Sequence, residues 1–272
     1  MNSQKNGLSK SISDFKKYFP LLLNLSAKDI KLKYRRSFLG LAWSVLNPLF
    51  TMLVLTQVFG LLLKIKVDNF ATYYIVGNSI WAFFSEATSL SMMSIISSAP
   101  LIKKVYIPKY IFPLEKCVFA FINFALSLIA VIAVMLIEGV YPTFTMLLAP
   151  LPILYCFLFC VGFSLILSAL TVYFRDIMHL YSVLLTVWMY LTPIIYPMEI
   201  IENSGGRMAK IVLTVIRCNP LFRYVRYFRD VMMYNTVPSL KENLICLGIG
   251  LFTLVIGALI FKKAEKKFIL HI

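Results

Sequence analysis

Charge is scarce in this sequence, and acidic residues are the scarcest. Only 14% of the 272 residues are charged, 60% are apolar, and the mean hydropathy is +0.82. A soluble domain keeps about a quarter of its residues charged, so this composition excludes an ordinary soluble domain and indicates a chain surrounded mainly by lipid. The 27 Lys and Arg residues outnumber the 12 Asp and Glu residues, which gives a formal net charge of +15.

Residues that commonly carry catalysis are also few. The two histidines, His179 and His271, are far apart, and neither begins the H-E-x-x-H pattern of a zinc hydrolase. The sequence has no G-x-x-x-x-G-K-S/T phosphate loop, so the chain cannot hydrolyse ATP with that machinery. We therefore expect that the protein is not an enzyme and that it holds no metal or cofactor of its own.

The five cysteines give little support to a disulfide or metal site. Their number is odd, and they contain no C-x-x-C pair. Cys156 and Cys160 fall on one helix face, which leaves a metal or redox pair open. The favoured interpretation is that they are small buried apolar residues.

Long runs without charge are abundant, and they predict an all-α polytopic membrane domain over residues 1–272. Residues 1–36 contain nine Lys and Arg but no short apolar core with a cleavage site, so we expect no cleaved signal peptide. A membrane-crossing helix needs about 20 apolar residues. The six predicted spans cover about residues 37–63, 69–98, 110–137, 143–174, 177–197 and 243–261.

The basic residues predict the orientation of these spans. With the N-terminus inside, the cytoplasmic segments carry 18 of the 27 Lys and Arg residues, which satisfies the positive-inside rule and places both termini in the cytoplasm. Because these residues cluster in loops between apolar runs, they indicate membrane orientation rather than nucleic-acid binding. The loop of residues 198–241 is an exception, since it is basic but is predicted to lie outside.

Two helices outside the spans are predicted from amphipathic periodicity. In residues 20–36, Pro20 suits a first helical position, and the apolar face predicts a helix on the inner membrane surface. That face contains Leu23, Ala27, Ile30 and Tyr34. An ordinary solvated helix is the alternative. The second helix covers residues 219–233 at the outer interface, where the expected polar face contains Arg223, Arg226 and Arg229.

Polar and aromatic residues within the spans are the candidates for a transport path. Glu86 is essentially the only ionisable residue inside a span; it would face a wet pathway or partner, or serve the structure alone. Aromatic side chains are either core and interface anchors or the lining of a conduit that passes sugars. The conduit candidates are Trp43, Phe50, Tyr73, Tyr74, Trp81, Phe84 and Tyr190.

Four blocks, in order along the chain, carry a family resemblance. Residues 28–40 (KDIKLKYRRSFLG), followed by Trp43 and Asn47-Pro48-Leu49, resemble the N-terminal segment of ABC-2-type polysaccharide export permeases. Residues 101–108 (LIKKVYIP) resemble the family's cytoplasmic loop after the second span. The third block is formed by YFRD at 173–176 and LTPIIYP at 191–197, and the fourth is NPL at 219–221.

The resemblance implies a half-transporter in the bacterial cytoplasmic membrane. Two copies of this chain would pair with two copies of a separate ABC nucleotide-binding subunit that holds ATP and Mg²⁺. Residues 99–109 would form a coupling helix on that subunit, and Arg175 and Asp176 a second contact. The residues implied in the coupling helix are Pro100, Leu101, Ile102, Lys103, Lys104, Val105, Tyr106 and Pro108.

The same resemblance implies a substrate on an undecaprenyl-pyrophosphate-type lipid, such as teichoic acid, O-antigen or capsule. Its anionic head would meet Tyr34, Arg35 and Arg36 near the inner mouth, where Leu39 and Gly40 turn into the first span. Anchoring on anionic membrane lipid is the alternative role of these residues. Arg223, Arg226 and Arg229 would meet lipid phosphates or polymer outside.

Other functions are left open by the sequence. An ABC-2 exporter of a drug or lipid shares the general pattern, and an ion-coupled carrier or a flippase without an ATPase belongs to a different class. The scarcity of ionisable residues within spans argues against ion coupling. Which polysaccharide would be carried is not encoded in any motif that we identify.

Overall fold

The computed structural model describes residues 2–35, 37–59 and 68–271, and the secondary structure over these ranges is entirely helical. The α-helices are α1 (Asn2–Tyr34), α2 (Trp43–Gln57), α3 (Phe70–Ser97), α4 (Ala99–Ile102), α5 (Ile111–Ile137), α6 (Pro150–Tyr173), α7 (Ile177–Tyr190), α8 (Met198–Ser204), α9 (Gly206–Cys218), α10 (Pro220–Met232) and α11 (Leu240–Ala264). Short 3-10 helices cover Gly40–Ala42, Phe144–Leu148 and Glu265–Leu270.

Helix α1 is longer than the predicted interface helix of residues 20–36. Pro20 lies inside α1, so the prediction that it opens the helix is wrong. A proline inside a helix removes one hydrogen-bond donor and crowds the preceding turn. Pro20 is exposed, so this disturbance falls on the surface of the helix and not in the core.

Helix α1 has two apolar faces. One packs against α5, with Leu22 and Ser26 each 1% exposed. The other leaves Phe15, Phe19 and Leu23 uncovered, at 39%, 44% and 46% exposure. An uncovered apolar stripe beside charged residues suits a helix that rests on a membrane surface.

Within the described residues, four helical stretches are long and apolar enough to cross a membrane. They are Gly40–Gln57, Ile111–Ile137, Phe144–Tyr173 and Leu240–Leu270. Helix α7 is apolar but has only 14 residues, which span about 21 Å at ~1.5 Å per residue, short of the hydrocarbon thickness of about 30 Å. Helix α3 has 28 residues, mostly buried inside the bundle. Six spans therefore stay a prediction, and residues 60–63 of the first predicted span lie outside the described residues.

Helix α3 is the centre of the bundle, where it packs against α5 and α6, and α6 packs in turn on α11. Glycines set the α6–α11 distance. A Cβ atom on Gly257 would lie 2.2 Å from the Gly162 carbonyl oxygen, and one on Gly162 would lie 2.4 Å from the Thr253 carbonyl carbon. These backbones touch because small residues allow close approach where lipid provides no hydrophobic drive between helices.

The connection between α7 and α11 is helical for most of its length. It was predicted as one outer helical loop over residues 198–241, and it contains α8, α9 and α10. Helix α10 packs against α3 and α6, with one face buried. Asn219 begins α10 because its side-chain oxygen accepts a hydrogen bond from the Leu221 amide at 3.0 Å.

Candidate functional site

A cavity of about 980 Å³ lies between α2, α3 and α5, with the end of α1 at one side. Its hydroxyl and amide residues are Ser44, Asn47, Thr51, Asn78, Ser79, Ser85, Ser89, Asn123 and Ser127. Its aromatic residues are Tyr34, Trp43, Tyr74, Trp81, Phe83 and Phe124. Polar side chains at membrane depth are costly and normally face a water-filled space or a partner. This lining therefore marks the cavity as the candidate path for a polar ligand.

Among the described residues that line the cavity, the charged ones lie at one end, where α1 meets α3. Lys33 Nζ lies 2.9 Å from Glu86 Oε1, and Asn123 donates from Nδ2 to the same oxygen at 2.9 Å. The Tyr34 hydroxyl donates to Asn123 Oδ1 at 3.3 Å and also shares a hydrogen bond with Ser44. Glu86 thus faces the cavity and joins the interface helix to the central helix. Lys33 was not among the predicted site residues.

The seven predicted conduit aromatics do not lie together. Trp43, Tyr74 and Trp81 line the cavity. Phe84 is fully buried instead, with its ring centroid 5.1 Å from that of Trp188 in the core. Phe50 and Tyr190 are 51% and 64% exposed and are not cavity-lining residues.

Tyr73 occupies a different environment from its neighbour Tyr74. Its hydroxyl donates to the carbonyls of Pro193 and Tyr196, at 3.3 Å and 3.1 Å. Its ring centroid lies 3.5 Å from the guanidinium carbon of Arg229. The Tyr73 ring therefore packs on Arg229 inside the protein and is not part of the cavity lining.

The residues predicted at the inner mouth lie next to the charged end of the cavity. Tyr34 lines it, whereas Arg35 and Leu39 are exposed beyond it. Gly40 has a φ of +46°, a left-handed conformation that glycine adopts without strain, and it allows the turn from α1 into α2. Arg36 lies outside the described residues.

The predicted coupling segment is only partly helical. Residues 99–109 contain α4, which includes Pro100 and Leu101 and ends at the buried Ile102. Lys103, Lys104, Val105 and Tyr106 then form an exposed turn. The helix does not continue to residue 109 because Pro108 disfavours a helical conformation at the residue before it. Arg175 and Asp176 are exposed in the loop between α6 and α7.

The three outer arginines differ from one another. Arg223 Nη1 lies 3.1 Å from Glu242 Oε1, and the exposed Arg226 approaches Asp230 at 3.9 Å. Arg229 is only 4% exposed. The expectation that Arg229 meets lipid phosphate or polymer outside is therefore corrected, because its side chain points into the protein.

Arg229 is held by backbone carbonyls. Its guanidinium donates to the Tyr73 carbonyl from Nε at 3.1 Å and from Nη2 at 3.0 Å, to the Pro193 carbonyl at 2.6 Å and to the Ile194 carbonyl at 3.0 Å. Desolvation lowers the pKa of Arg229 from its ordinary value. These bonds fasten α10 to α3 and to the residues after α7. We call this arrangement the outer joint.

Asn219 is a second residue of this region whose role the sequence did not predict. Besides beginning α10, its Oδ1 accepts from Trp188 Nε1 at 2.8 Å, and its Nδ2 donates to Thr192 Oγ1 at 2.8 Å. Asn219 is 7% exposed, so these partners replace water. Its position before Pro220 signals a helix start, but nothing in the local sequence indicates its partners Trp188 and Thr192.

Two of the cysteines lie in the core of the bundle. Cys156 and Cys160 are both 0% exposed in α6, and neither is in a disulfide. Among the described residues, no group of three or more His, Cys, Asp or Glu side chains could hold a metal ion.

Comparison with known proteins identifies the family of this chain. The family described as ABC-2 type transporter matches residues 20–233. The chain belongs to this family. ATP hydrolysis in such a transporter takes place in a separate subunit, so this ABC-2 chain is the membrane component and not an enzyme. The residues that carry the family resemblance, including LIKKVYIP and NPL, all fall within the matched range.

Three relatives are similar over most of their length. One is the O-antigen export system permease protein RfbA of Myxococcus xanthus, which is 28% identical over 257 residues, or 94% of this chain and 97% of the relative. Two proteins of the same name from Klebsiella pneumoniae are each 28% identical over 251 residues, or 92% of this chain and 94% of the relative.

Proposed function

We propose that this chain is the permease subunit of an ATP-driven exporter that carries a lipid-linked polysaccharide across the cytoplasmic membrane. The observation that carries the proposal is the 980 Å³ cavity, because it combines hydroxyl, amide and aromatic side chains at membrane depth. Family membership and the similarity to O-antigen export permeases support the same substrate class.

The cavity suits a moving glycan for chemical reasons. Sugar hydroxyls exchange hydrogen bonds with serine, threonine and asparagine, and the apolar faces of sugar rings stack on aromatic side chains. A chain that must slide benefits from many weak contacts and few strong ones. Lys33 and Glu86 are the charged residues among the described lining residues and stand at one end, so the rest of the described lining is neutral.

We assign the head of the substrate to that charged end. A lipid pyrophosphate of the undecaprenyl type would approach Tyr34 and Arg35, where the phosphates find a phenol hydroxyl and an exposed guanidinium. The position of Tyr34 on the cavity wall supports this assignment. We propose the same role for Arg36, the next residue in the sequence.

The assembly that we propose contains two copies of this chain and two ATP-binding subunits that hold ATP and Mg²⁺, with both termini of the permease in the cytoplasm. Uncovered apolar faces support a second copy. On α7, Val183 and Val187 are 64% and 53% exposed, and on α2, Leu53 and Val54 are 52% and 61% exposed. Lys103, Lys104, Arg175 and Asp176 would meet the ATP-binding subunit.

Depletion in the native cell tests the function. We expect surface polysaccharide to fall and a polyprenol-linked glycan to accumulate on the inner leaflet, and the accumulated glycan identifies the polymer as O-antigen, teichoic acid or capsule. Unchanged surface polysaccharide, with loss of resistance to a drug or altered lipid export, would instead establish the alternative ABC-2 function.

A cavity-filling variant connects that phenotype to the site. Ala82 lines the cavity and is exposed within it, so Ala82→Trp should block export while the permease still assembles. Val255→Trp is the matched control, because Val255 is 55% exposed on α11 and does not line the cavity. If both variants restore export to depleted cells, the cavity is not the path.

A further inference from the structure

The residues after α11 fold back onto the two loops that face the same end of the bundle. Glu265–Leu270, which we call the C-terminal segment, form a 3-10 helix directly after α11. Lys109, which closes the 99–109 loop, donates from Nζ to the Glu265 carbonyl at 2.6 Å. Tyr173, at the end of α6, donates from its hydroxyl to the Ala264 carbonyl at 2.8 Å. The start of the segment and the last residue of α11 are therefore held against the loop before α5 and the end of α6.

Phe268 fastens this arrangement. Its side chain is 0% exposed, with ring centroids 5.4 Å from Phe261 and 6.1 Å from Tyr173. Lys109 Nζ lies 5.7 Å from the Phe268 ring centroid. Moving or removing this buried ring would leave an unfilled space, which is unfavourable. The ring therefore holds the residues that it contacts at a fixed separation.

The outward side of the same segment is apolar and uncovered. Ile269 is 58% exposed and Leu270 is 80% exposed. Each of the two adjoining loops has the same property, with Tyr106 at 92% and Phe174 at 65% exposure. Exposed basic residues accompany them: Lys103, Lys104, Arg175, Lys266 and Lys267. Uncovered apolar side chains with a charged rim are typical of protein-interaction surfaces.

We propose that the C-terminal segment is a third docking element for the ATP-binding subunit, through Ile269 and Leu270. This inference rests on the proposed function, which supplies that subunit. The surface that receives the segment is an apolar depression with acidic side chains at its rim, because the rim of the permease surface is basic. The segment sets the separation of the other two elements and adds its own contact.

The fixed geometry favours a protein partner over a membrane surface. A lipid surface accepts apolar side chains in any arrangement and needs no fixed register between loops. In this region, a hydrogen bond from Lys109 and the buried Phe268 ring, which packs on Tyr173, hold the segment in place. A hydrogen bond from Tyr173 to Ala264 fixes the end of α11 just before it. A preorganised arrangement of this kind lowers the cost of docking into a shaped protein surface.

Photo-crosslinking in the native cell tests the partner. Benzoylphenylalanine in place of Leu270 should capture the same polypeptide as benzoylphenylalanine in place of Tyr106, and that polypeptide should contain a G-x-x-x-x-G-K-S/T phosphate loop. Phe144 is the matched control position, because it is 91% exposed at the opposite ends of α5 and α6. A probe there should not capture this subunit.

Purified complexes then measure the contribution. With the captured ATP-binding subunit and permease in nanodiscs, the pair Ile269→Asp and Leu270→Asp should weaken binding of the subunit by at least tenfold, whereas Phe144→Asp should not change it. Both altered residues are exposed, so the permease should elute normally on size exclusion. Phe268→Ala should weaken binding in the same direction, by releasing the segment from the loops.

The outcomes separate the two proposals. If Tyr106 captures the ATP-binding subunit while Leu270 captures only lipid or nothing, the docking role of the segment is overturned and the exporter function stands. The docking role is also overturned if the Asp pair binds the subunit as tightly as the unaltered chain, or if its defect exists only in nanodiscs of anionic lipid. If no position captures such a subunit, the proposed function itself fails.

Discussion

Two cations join other helices to α3, one at its first turn and one beyond its middle, and they do so in different ways. Lys33 reaches Glu86 of α3 from α1, and the two side chains of this ion pair are 41% and 29% exposed. Arg229 reaches the first turn of α3 from α10, and it is 4% exposed, with carbonyl oxygens as its acceptors. The first is a screened ion pair, and the second is a buried network.

The difference in exposure indicates which of the two contacts separates more easily. Exposed ion pairs contribute about 0.2–1 kcal/mol and part readily, since water replaces the partners. A buried guanidinium that separates from its carbonyl acceptors has no other hydrogen-bond partners, and the carbonyls then have no donors. We therefore expect the Lys33–Glu86 contact to separate more readily than the outer joint, which keeps α10, α3 and the residues after α7 together.

Removal of the guanidinium should have the largest effect. Arg229→Met leaves the Tyr73, Pro193 and Ile194 carbonyls without donors, so we expect a loss of more than about 3 kcal/mol in unfolding free energy, or failure to accumulate in the membrane. Arg229→Lys should recover little of this loss, because one ammonium cannot reproduce the planar fork of donors. Thermal unfolding in detergent measures both variants.

The matched control for this prediction is Arg226→Met, one turn earlier on α10. The Arg226 side chain is 69% exposed, so we expect a change within about 0.5 kcal/mol. Equal losses for Arg226→Met and Arg229→Met would show that the two arginines are equivalent and would remove the contrast between the two contacts.

Crowding the outer joint should have the next largest effect. A Cβ atom on Gly77 would lie 2.3 Å from Arg229 Nη2, so Gly77→Ala should displace the guanidinium and cost about 1–3 kcal/mol. Gly248→Ala in α11 is the control, because its Cβ would meet nothing within 4 Å. We expect Gly248→Ala to be neutral or slightly stabilising, measured by the same unfolding assay. A harmless Gly77→Ala would mean that the joint tolerates a shifted arginine.

The sequence predicts helix bounds better than it predicts which side chains face the site. The span predicted at about residues 110–137 corresponds to α5 at Ile111–Ile137. Its end is well predicted because the charge-free run stops at Glu138. The first span has no such sharp outer limit, and its predicted end at residue 63 lies outside the described residues.

The burial of Arg229 follows in part from the three-residue spacing of the arginines on α10, but the sequence does not indicate its hydrogen-bond acceptors. Successive steps of three residues fall about 60° short of a full helical turn, so Arg223, Arg226 and Arg229 rotate progressively around α10 and do not share one face. The last of them reaches the core. Its acceptors are at positions 73, 193 and 194, and no local pattern in α10 indicates them.

The aromatic residues illustrate the same limit. Tyr73 and Tyr74 are neighbours whose side chains leave the helix about 100° apart, and composition could not tell which of them would face the cavity. Helix packing decided it: Tyr74 lines the cavity, while Tyr73 covers Arg229. Glu86, whose role the sequence left undecided, is placed by its contacts with Lys33 and Asn123.

Loss of the amide at the start of α10 should have an intermediate effect on the outer joint. Asn219→Ala removes the helix cap and the acceptor for Trp188, so we expect a loss of about 1–2 kcal/mol. Asn219→Asp keeps the acceptor but loses the donor to Thr192, and its stability should lie between those of Asn219→Ala and the unaltered chain. Asn203→Ala, at an exposed position of α8, is the control. If all three variants unfold alike, the contacts of Asn219 do not stabilise α10.

Breaking the Lys33–Glu86 ion pair, which we call the inner pair, should have the smallest effect on stability. The coupling energy between the two residues tests the comparison. A double-mutant cycle with Lys33→Met and Glu86→Gln should give a coupling energy of about 0.2–1 kcal/mol, because both side chains reach solvent. The coupling should fall further as salt rises, since mobile ions screen an exposed pair, whereas the loss in Arg229→Met should not change. Unfolding of the four proteins in nanodiscs at low and high salt measures both values. A coupling above about 2 kcal/mol, or one that salt does not alter, would make the inner pair as permanent as the outer joint. The Lys33–Glu86 contact would then not be the one that separates more readily.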